Sequence, residues 1–131
     1  MYVAFASQDG TAIDAHFAAA KSFSIYHITE EETSLVRHIS FYPPEHGDSG
    51  DDILSQHDEG EDDKVKLRIE ALKDCAIIYC THIGGPAAAR LVQSRIHPLK
   101  VPAGTPIAQE VARLEIMLKN NPPPWLRKVR Q

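Results

Sequence analysis

The stretch from Gly10 to Phe17 carries the first side chain that could do chemistry. It follows a predicted first strand, and α/β sheets bind their ligands at the ends of such strands. His16 stands here among small residues, so its ring has room to reach a ligand, and neutral imidazole is a common ligand of iron. The alternative is a surface or capping histidine. We treat His16 as a candidate metal ligand and its neighbours Asp14 and Phe17 as candidate cofactor-binding residues.

A second candidate is the turn from Thr81 to Pro86, which links a predicted strand to a predicted helix. Gly84 and Gly85 precede the proline, and free backbone N–H groups at a helix N-terminus form a natural anion site. The alternative is that these glycines only permit tight packing of the helix on the sheet. The turn has neither a Walker lysine nor a full dinucleotide fingerprint, so a nucleotide is a weak expectation.

The two cysteines, Cys75 and Cys80, differ by five positions. On one strand an odd offset points them to opposite faces, so we expect neither a disulfide nor a metal site shared by the pair. Cys80 and His82 are two positions apart and can share a face at the ligand end of the strand. They are therefore candidate metal ligands, with a buried apolar cysteine as the alternative.

Five strands and three helices are needed to position these residues. The order β-β-β-α-β-α-β-α predicts an α/β domain with a mixed sheet, in which an antiparallel hairpin precedes parallel strands joined by helices. The second helix starts with Pro86, and Thr105 is expected to cap the third, with Pro106 at its first position. The predicted strands span residues 2–7, 23–28, 35–42, 75–80 and 98–101.

Charge is distributed unevenly along the chain. The formal net charge is −4, yet the nine acids of the stretch Glu45–Asp63 stand without a Lys or Arg, and the rest has 14 basic against 18 − 9 = 9 acidic residues. We expect a mobile acidic loop on a mildly basic body that can hold an anionic ligand. The alternative is a merely solvated acidic loop.

Several functional classes find little support. The sequence contains neither a Gly-x-Ser-x-Gly nor a His-Glu-x-x-His motif, and we expect no catalysis. No apolar run approaches the roughly 20 residues of a membrane span, and the opening residues lack the basic region of a signal peptide. With two cysteines, too few for a disulfide framework, we expect a cytoplasmic protein without membrane or nucleic-acid partners.

Seven short motifs together resemble the dinitrogenase iron–molybdenum cofactor biosynthesis family, and the last of them points to its NifX-like branch. They cover nearly the whole chain and are Tyr2–Ala6, Asp9-Gly10, Asp14–Phe17, Phe23–Tyr26, Arg68–Tyr79, Ile83–Arg90 and Asn121–Lys128.

The resemblance implies a ribonuclease-H-like α/β fold without nuclease activity. It also implies binding of the iron–sulfur precursor of the nitrogenase cofactor made by NifB, and its transfer towards a NifEN-type scaffold. His16 matches the family histidine associated with cofactor binding. Two rival functions are a regulatory or interaction protein that holds no cluster, and a small metal or redox domain using Cys80 and His82.

The end of the chain is predicted to be an appendage. We expect a cofactor-binding domain over residues 1–121 and a basic tail over residues 122–131. Three prolines precede Trp125, and a large aromatic beside several cations is typical of a partner-docking anchor. The alternative is that Trp125 folds back and covers the domain's own core.

Overall fold

The computed structural model describes residues 1–41, 61–120 and 122–130. Within these ranges the chain forms seven strands and four helices. The strands are β1 (Tyr2–Ala6), β2 (Ala12–Ile13), β3 (Ser22–Ile28), β4 (Thr33–Ser40), β5 (Ile77–Cys80), β6 (His97–Lys100) and β7 (Thr105–Pro106). The helices are α1 (Glu61–Ala71), α2 (Gly85–Gln93), α3 (Ile107–Lys119) and α4 (Pro124–Arg130).

A mixed sheet in the order β4-β3-β1-β5-β6 forms the centre of the described structure. The strands β3 and β4 form the predicted antiparallel hairpin, and β1, β5 and β6 run parallel to one another. The α/β class and the mixed five-stranded sheet are thus confirmed. Within the described ranges, no helix combines the length and the apolar character needed to cross a lipid bilayer.

Each face of the sheet is covered by two helices, because side chains alternate along the buried strands. On one face, Ala4 and Ile78 join side chains of α1 and α2 in a first core. On the other face, Phe5 and Tyr79 join side chains of α3 and α4 in a second core, where their rings stack at 4.9 Å. Every residue of β5 is buried, as its continuous apolar run predicts.

The predicted cap of the third helix is wrong. Thr105 and Pro106 form β7, which pairs with β2, so Pro106 is the N-cap residue of α3. The Thr105 hydroxyl donates to the Pro102 carbonyl at 2.6 Å instead of capping the helix. A two-residue pairing with a distant segment has no periodic signal, which is why the cap pattern misled.

The end of the chain is helical and packs on the second core. The Leu126 side chain is fully buried, and the Trp125 ring stacks on His97 with 4.3 Å between ring centroids. Of the two expectations for Trp125, the structure favours the contact with the body of the domain. The predicted acidic loop lies mostly outside the described residues, and its last three residues, 61–63, are the first of α1.

Candidate functional site

The predicted site residues follow the carboxyl ends of the parallel strands. Because β1, β5 and β6 are parallel, Ala6, Cys80 and Lys100 end at the same edge of the sheet. The segment from Ala12 to Phe17 lies at this edge, since the Asp14 amide donates to the Ala6 carbonyl at 3.1 Å. Ligands of open α/β sheets bind at such an edge.

Two backbone hydrogen bonds join this segment to the end of β5. The Thr81 amide donates to the Ala15 carbonyl, and the Phe17 amide donates to the His82 carbonyl, each at 2.9 Å. His16 lies between these two bonds. As a result its ring lies 4.6 Å from that of His82, measured between centroids, at an interplanar angle of 61°. The sequence proposed both histidines as metal ligands, and the structure brings them together.

The two histidines line an open cavity of about 450 Å³, which we call the histidine cleft. Both side chains are exposed, as is that of Lys100. The imidazoles offer nitrogen ligands that suit iron, and the ammonium group favours an anionic ligand. The cleft is lined in part by Asp14, His16, Thr81, His82, Lys100 and Pro102.

Asp14 and Phe17 have different surroundings. The Asp14 carboxylate faces the cleft and accepts a hydrogen bond from the Gln8 amide at 3.2 Å, which anchors the turn after β1. The Phe17 ring is fully buried in the first core. Phe17 therefore positions His16 through its backbone and its buried ring rather than by presenting a ring to the cleft.

The two glycines lie at the start of α2, as predicted, with Gly84 as the N-cap and Pro86 within the first turn. Both glycines are exposed, and Gly84 lines a second cavity of about 470 Å³ between the Phe17–Ala18 segment and α2. A Cβ atom at either glycine would meet nothing within 4 Å, and neither has a positive φ. These glycines leave open space in front of the helix N-terminus, and tight packing does not require them.

The cysteines lie in the core. Cys80 is fully buried and Cys75 is 3 % exposed, and both side chains belong to the first core. The prediction that they face opposite sides of the sheet is wrong, because β5 starts at Ile77 and Cys75 precedes the alternating strand. Burial raises the pKa of the Cys80 thiol to about 11, although nearby Lys100 acts to lower it. The structure thus separates the buried Cys80 from the exposed His82.

Lys100 is the cleft residue that the sequence analysis missed. It ends β6 beside Cys80 at the end of β5, since these two residues are paired in the sheet. A cation at the end of a predicted parallel strand was the signal that could have found it. In the described part of the chain, no group of three or more His, Cys, Asp or Glu residues could hold a metal ion. The cleft therefore presents a pair of imidazoles, not a closed coordination sphere.

Comparison with known proteins assigns the family. The model of the family described as dinitrogenase iron–molybdenum cofactor matches residues 1–116. NifX of Herbaspirillum seropedicae is 41% identical over 131 residues, which cover 100% of this chain and 82% of that protein. NifX of Sinorhizobium fredii is 37% identical over 127 residues, with 97% of this chain and 76% of that protein covered.

Solved structures bear on the fold. The crystal structure of PH0822 has a TM-score of 0.62 and 18% sequence identity, with 88% of each chain covered, and it supports the same overall arrangement. The family match and the relatives agree with the seven motifs in the sequence. The chain therefore belongs to the dinitrogenase iron–molybdenum cofactor family, of which it is a NifX-like member.

Proposed function

We propose that this protein takes part in nitrogenase iron–molybdenum cofactor biosynthesis as a carrier, which binds an iron–sulfur precursor in the histidine cleft. The precursor is cargo that arrives from a NifB-type protein and leaves to a NifEN-type scaffold. The observation that carries the proposal is the pair of exposed imidazoles of His16 and His82, 4.6 Å apart between ring centroids.

The donor set of the cleft fits such a cargo. Neutral imidazole is a ligand for iron, and a cluster brings its own sulfides, so the protein needs to supply only a few ligands. Lys100 adds a positive charge at the same cleft, which favours an anionic cluster. Thr81 also lines the cleft, and its hydroxyl could hydrogen-bond the cargo or its ligands and so adjust how strongly the cargo is held.

Reversible attachment suits a carrier better than an enzyme. Two ligands at an open cleft leave most of the cargo accessible to the next protein. The thiol of Cys80 is not available to the cleft as a nucleophile, since Cys80 is buried with a raised pKa. We further propose a non-catalytic, cytoplasmic protein with a ribonuclease-H-like arrangement of its sheet.

The test is anaerobic loading with the isolated iron–sulfur precursor, followed by gel filtration, iron counting and visible absorption. We expect His16→Ala and His82→Ala each to weaken cluster retention by roughly tenfold or more. Each change removes one of the two proposed iron ligands, and losing even an outer-shell partner of a ligand typically costs that much. His38→Ala is the matched control, since His38 is an exposed histidine on the edge strand β4. Full retention by the double variant His16→Ala/His82→Ala would refute the cleft as the binding site.

A regulatory or interaction protein that holds no cluster is the second candidate. It is favoured by the lack, among the described residues, of a group of three metal-binding side chains. The same experiment decides between the two, because a protein of this class leaves the gel filtration column without iron. If the wild-type protein binds assembly proteins but retains no iron, the carrier proposal fails and the interaction protein is favoured.

A further inference from the structure

A larger cavity lies at the opposite edge of the sheet, where the parallel strands begin. Its volume is about 860 Å³, and Tyr2 and His97, at the starts of β1 and β6, line it. This is within the usual size range of ligand sites. We call it the basal cavity, and the features that matter are its cations Lys73, Arg95 and Lys128 and its apolar side chains Tyr2, Val92 and Trp125.

The charge of the basal cavity is predominantly positive. The side chains of Lys73, Arg95 and Lys128 are all exposed. Among the described residues that line the cavity, Asp74 is the acidic one, and its carboxylate accepts two hydrogen bonds from Arg37 at 2.9 and 3.1 Å. The negative charge of Asp74 is thus already engaged outside the group of three cations.

Apolar side chains of the basal cavity are exposed to solvent. Val92 is 60% exposed and Tyr2 is 37% exposed, and the half-buried Trp125 lies at the same cavity. Aromatic residues and arginine are the types most enriched at the centres of protein interfaces. The cavity therefore combines exposed apolar side chains with exposed cations.

Arg95 places one of the three cations at the end of α2. It has φ 65°, in the left-handed region that favours glycine, and it follows the C-terminus of α2. Its amide donates to the Val92 carbonyl at 3.0 Å, and the Ile96 amide donates to the Leu91 carbonyl at 2.9 Å, which is the Schellman pattern. The helix cap accounts for this φ, and glycine would adopt it at lower cost, so the Arg95 side chain can be removed without straining the end of α2.

We propose that the basal cavity docks an acidic, amphipathic segment of a protein partner, with an apolar side chain on Trp125 and carboxylates on Lys73, Arg95 and Lys128. The three exposed cations favour an acidic partner, and the exposed apolar side chains of the cavity favour an apolar residue in it. A compact phosphate ligand would leave those apolar side chains uncovered.

This inference does not depend on the proposed function. The basal cavity and the histidine cleft lie at opposite edges of the sheet, so a partner held at the first leaves the second open. If the protein binds the cluster but no acidic peptide, only the docking proposal fails. If it binds the acidic peptide but no cluster, only the proposed carrier role fails.

The test uses the full chain and the intrinsic fluorescence of Trp125, which is the single tryptophan of the sequence. The probe is a short peptide in which glutamates surround a leucine and a phenylalanine, and a matched peptide carries glutamine in place of each glutamate. We expect the acidic peptide to shift Trp125 emission saturably and with a strong dependence on salt, and the glutamine peptide to bind at least about tenfold more weakly.

Three variants make the test specific. Lys73→Glu/Lys128→Glu should weaken the acidic peptide about tenfold, whereas Lys66→Glu, on the exposed face of α1, should not. Arg95→Gly should raise the melting temperature and yet weaken the peptide several-fold, a combination that a purely structural role cannot give. The proposal is overturned by equal binding of both peptides, by unchanged binding in Lys73→Glu/Lys128→Glu, or by ATP binding more tightly than the acidic peptide in competition.

Discussion

At the scale of residues, two histidines lie in the open while two cysteines lie in the core. Residue type alone made Cys80 and His82 equal candidates as ligands, but their environments differ: Cys80 is fully buried and His82 is exposed. Burial disfavours the thiolate, and the thiolate is the form that binds metals and reacts with electrophiles. The pair His16–His82 is for this reason the better-supported donor set.

The cysteines provide a direct test of this assignment. Burial raises the pKa of Cys75 to about 12, with Asp74 adding to the effect, and that of Cys80 to about 11. We expect neither thiol to react with Ellman's reagent in the folded protein at pH 8, and both to react in guanidinium chloride. Rapid reaction of Cys80 in a folded Cys75→Ser variant would contradict the buried position of Cys80 and reopen its role as a ligand.

At the scale of elements, the short helix α4 stabilises the domain through a small contact. Leu126 is fully buried in the second core, and the ring of Trp125 stacks on His97.

Helix α1 is held by a buried charged residue, because Arg68 is fully buried among apolar neighbours. The Arg68 guanidinium donates to the Ala20 carbonyl at 2.6 Å and lies 4.5 Å above the Phe41 ring, so this helix is held by a cation as well as by apolar packing.

Removing the buried side chain of α4 should destabilise the protein. We expect Leu126→Ala to lower the free energy of unfolding by about 2–4 kcal/mol, since it removes a fully buried leucine and leaves a cavity. Arg127→Ala, one position further along the same helix and exposed, should change it by less than about 0.5 kcal/mol. Urea unfolding followed by circular dichroism measures both, and equal midpoints would show that α4 is a loosely attached tail.

The stack between α4 and β6 should also make stability depend on pH. Burial lowers the pKa of His97 below its ordinary value of 6.5, so the unfolded chain binds the proton more readily than the folded chain. The contribution of His97 is complete above about pH 6.5 and is lost as the pH falls through the lowered pKa. We expect unfolding midpoints of the wild type to fall more steeply between pH 7 and pH 5 than those of His97→Gln, and parallel curves would contradict this.

At the scale of the whole molecule, local sequence patterns predicted most of the fold. Contacts between segments distant in the chain were not predicted. The hairpin, the buried strand β5 and the glycine turn before α2 each have a signal within a few residues. The pairing of β2 with β7 has none, because it joins two-residue strands far apart in the chain. The approach of His16 to His82 likewise depends on backbone hydrogen bonds between remote segments, so the sequence could propose both residues but not their proximity.

The central position of β1 has a consequence for the order in which the chain folds. Its antiparallel neighbour β3 begins at Ser22, whereas its parallel neighbour β5 begins only at Ile77. Closing the longer loop costs more entropy, so we expect β1 to pair with β3 first. Until β5 adds to the sheet, the other side of β1 lacks a hydrogen-bonding partner. The acids between β4 and α1 separate these early and late halves in sequence, and their charge opposes association of half-folded chains. Trp125 packs on His97 of β6, so its fluorescence is expected to change when β5 and β6 join the sheet and not when β1 pairs with β3.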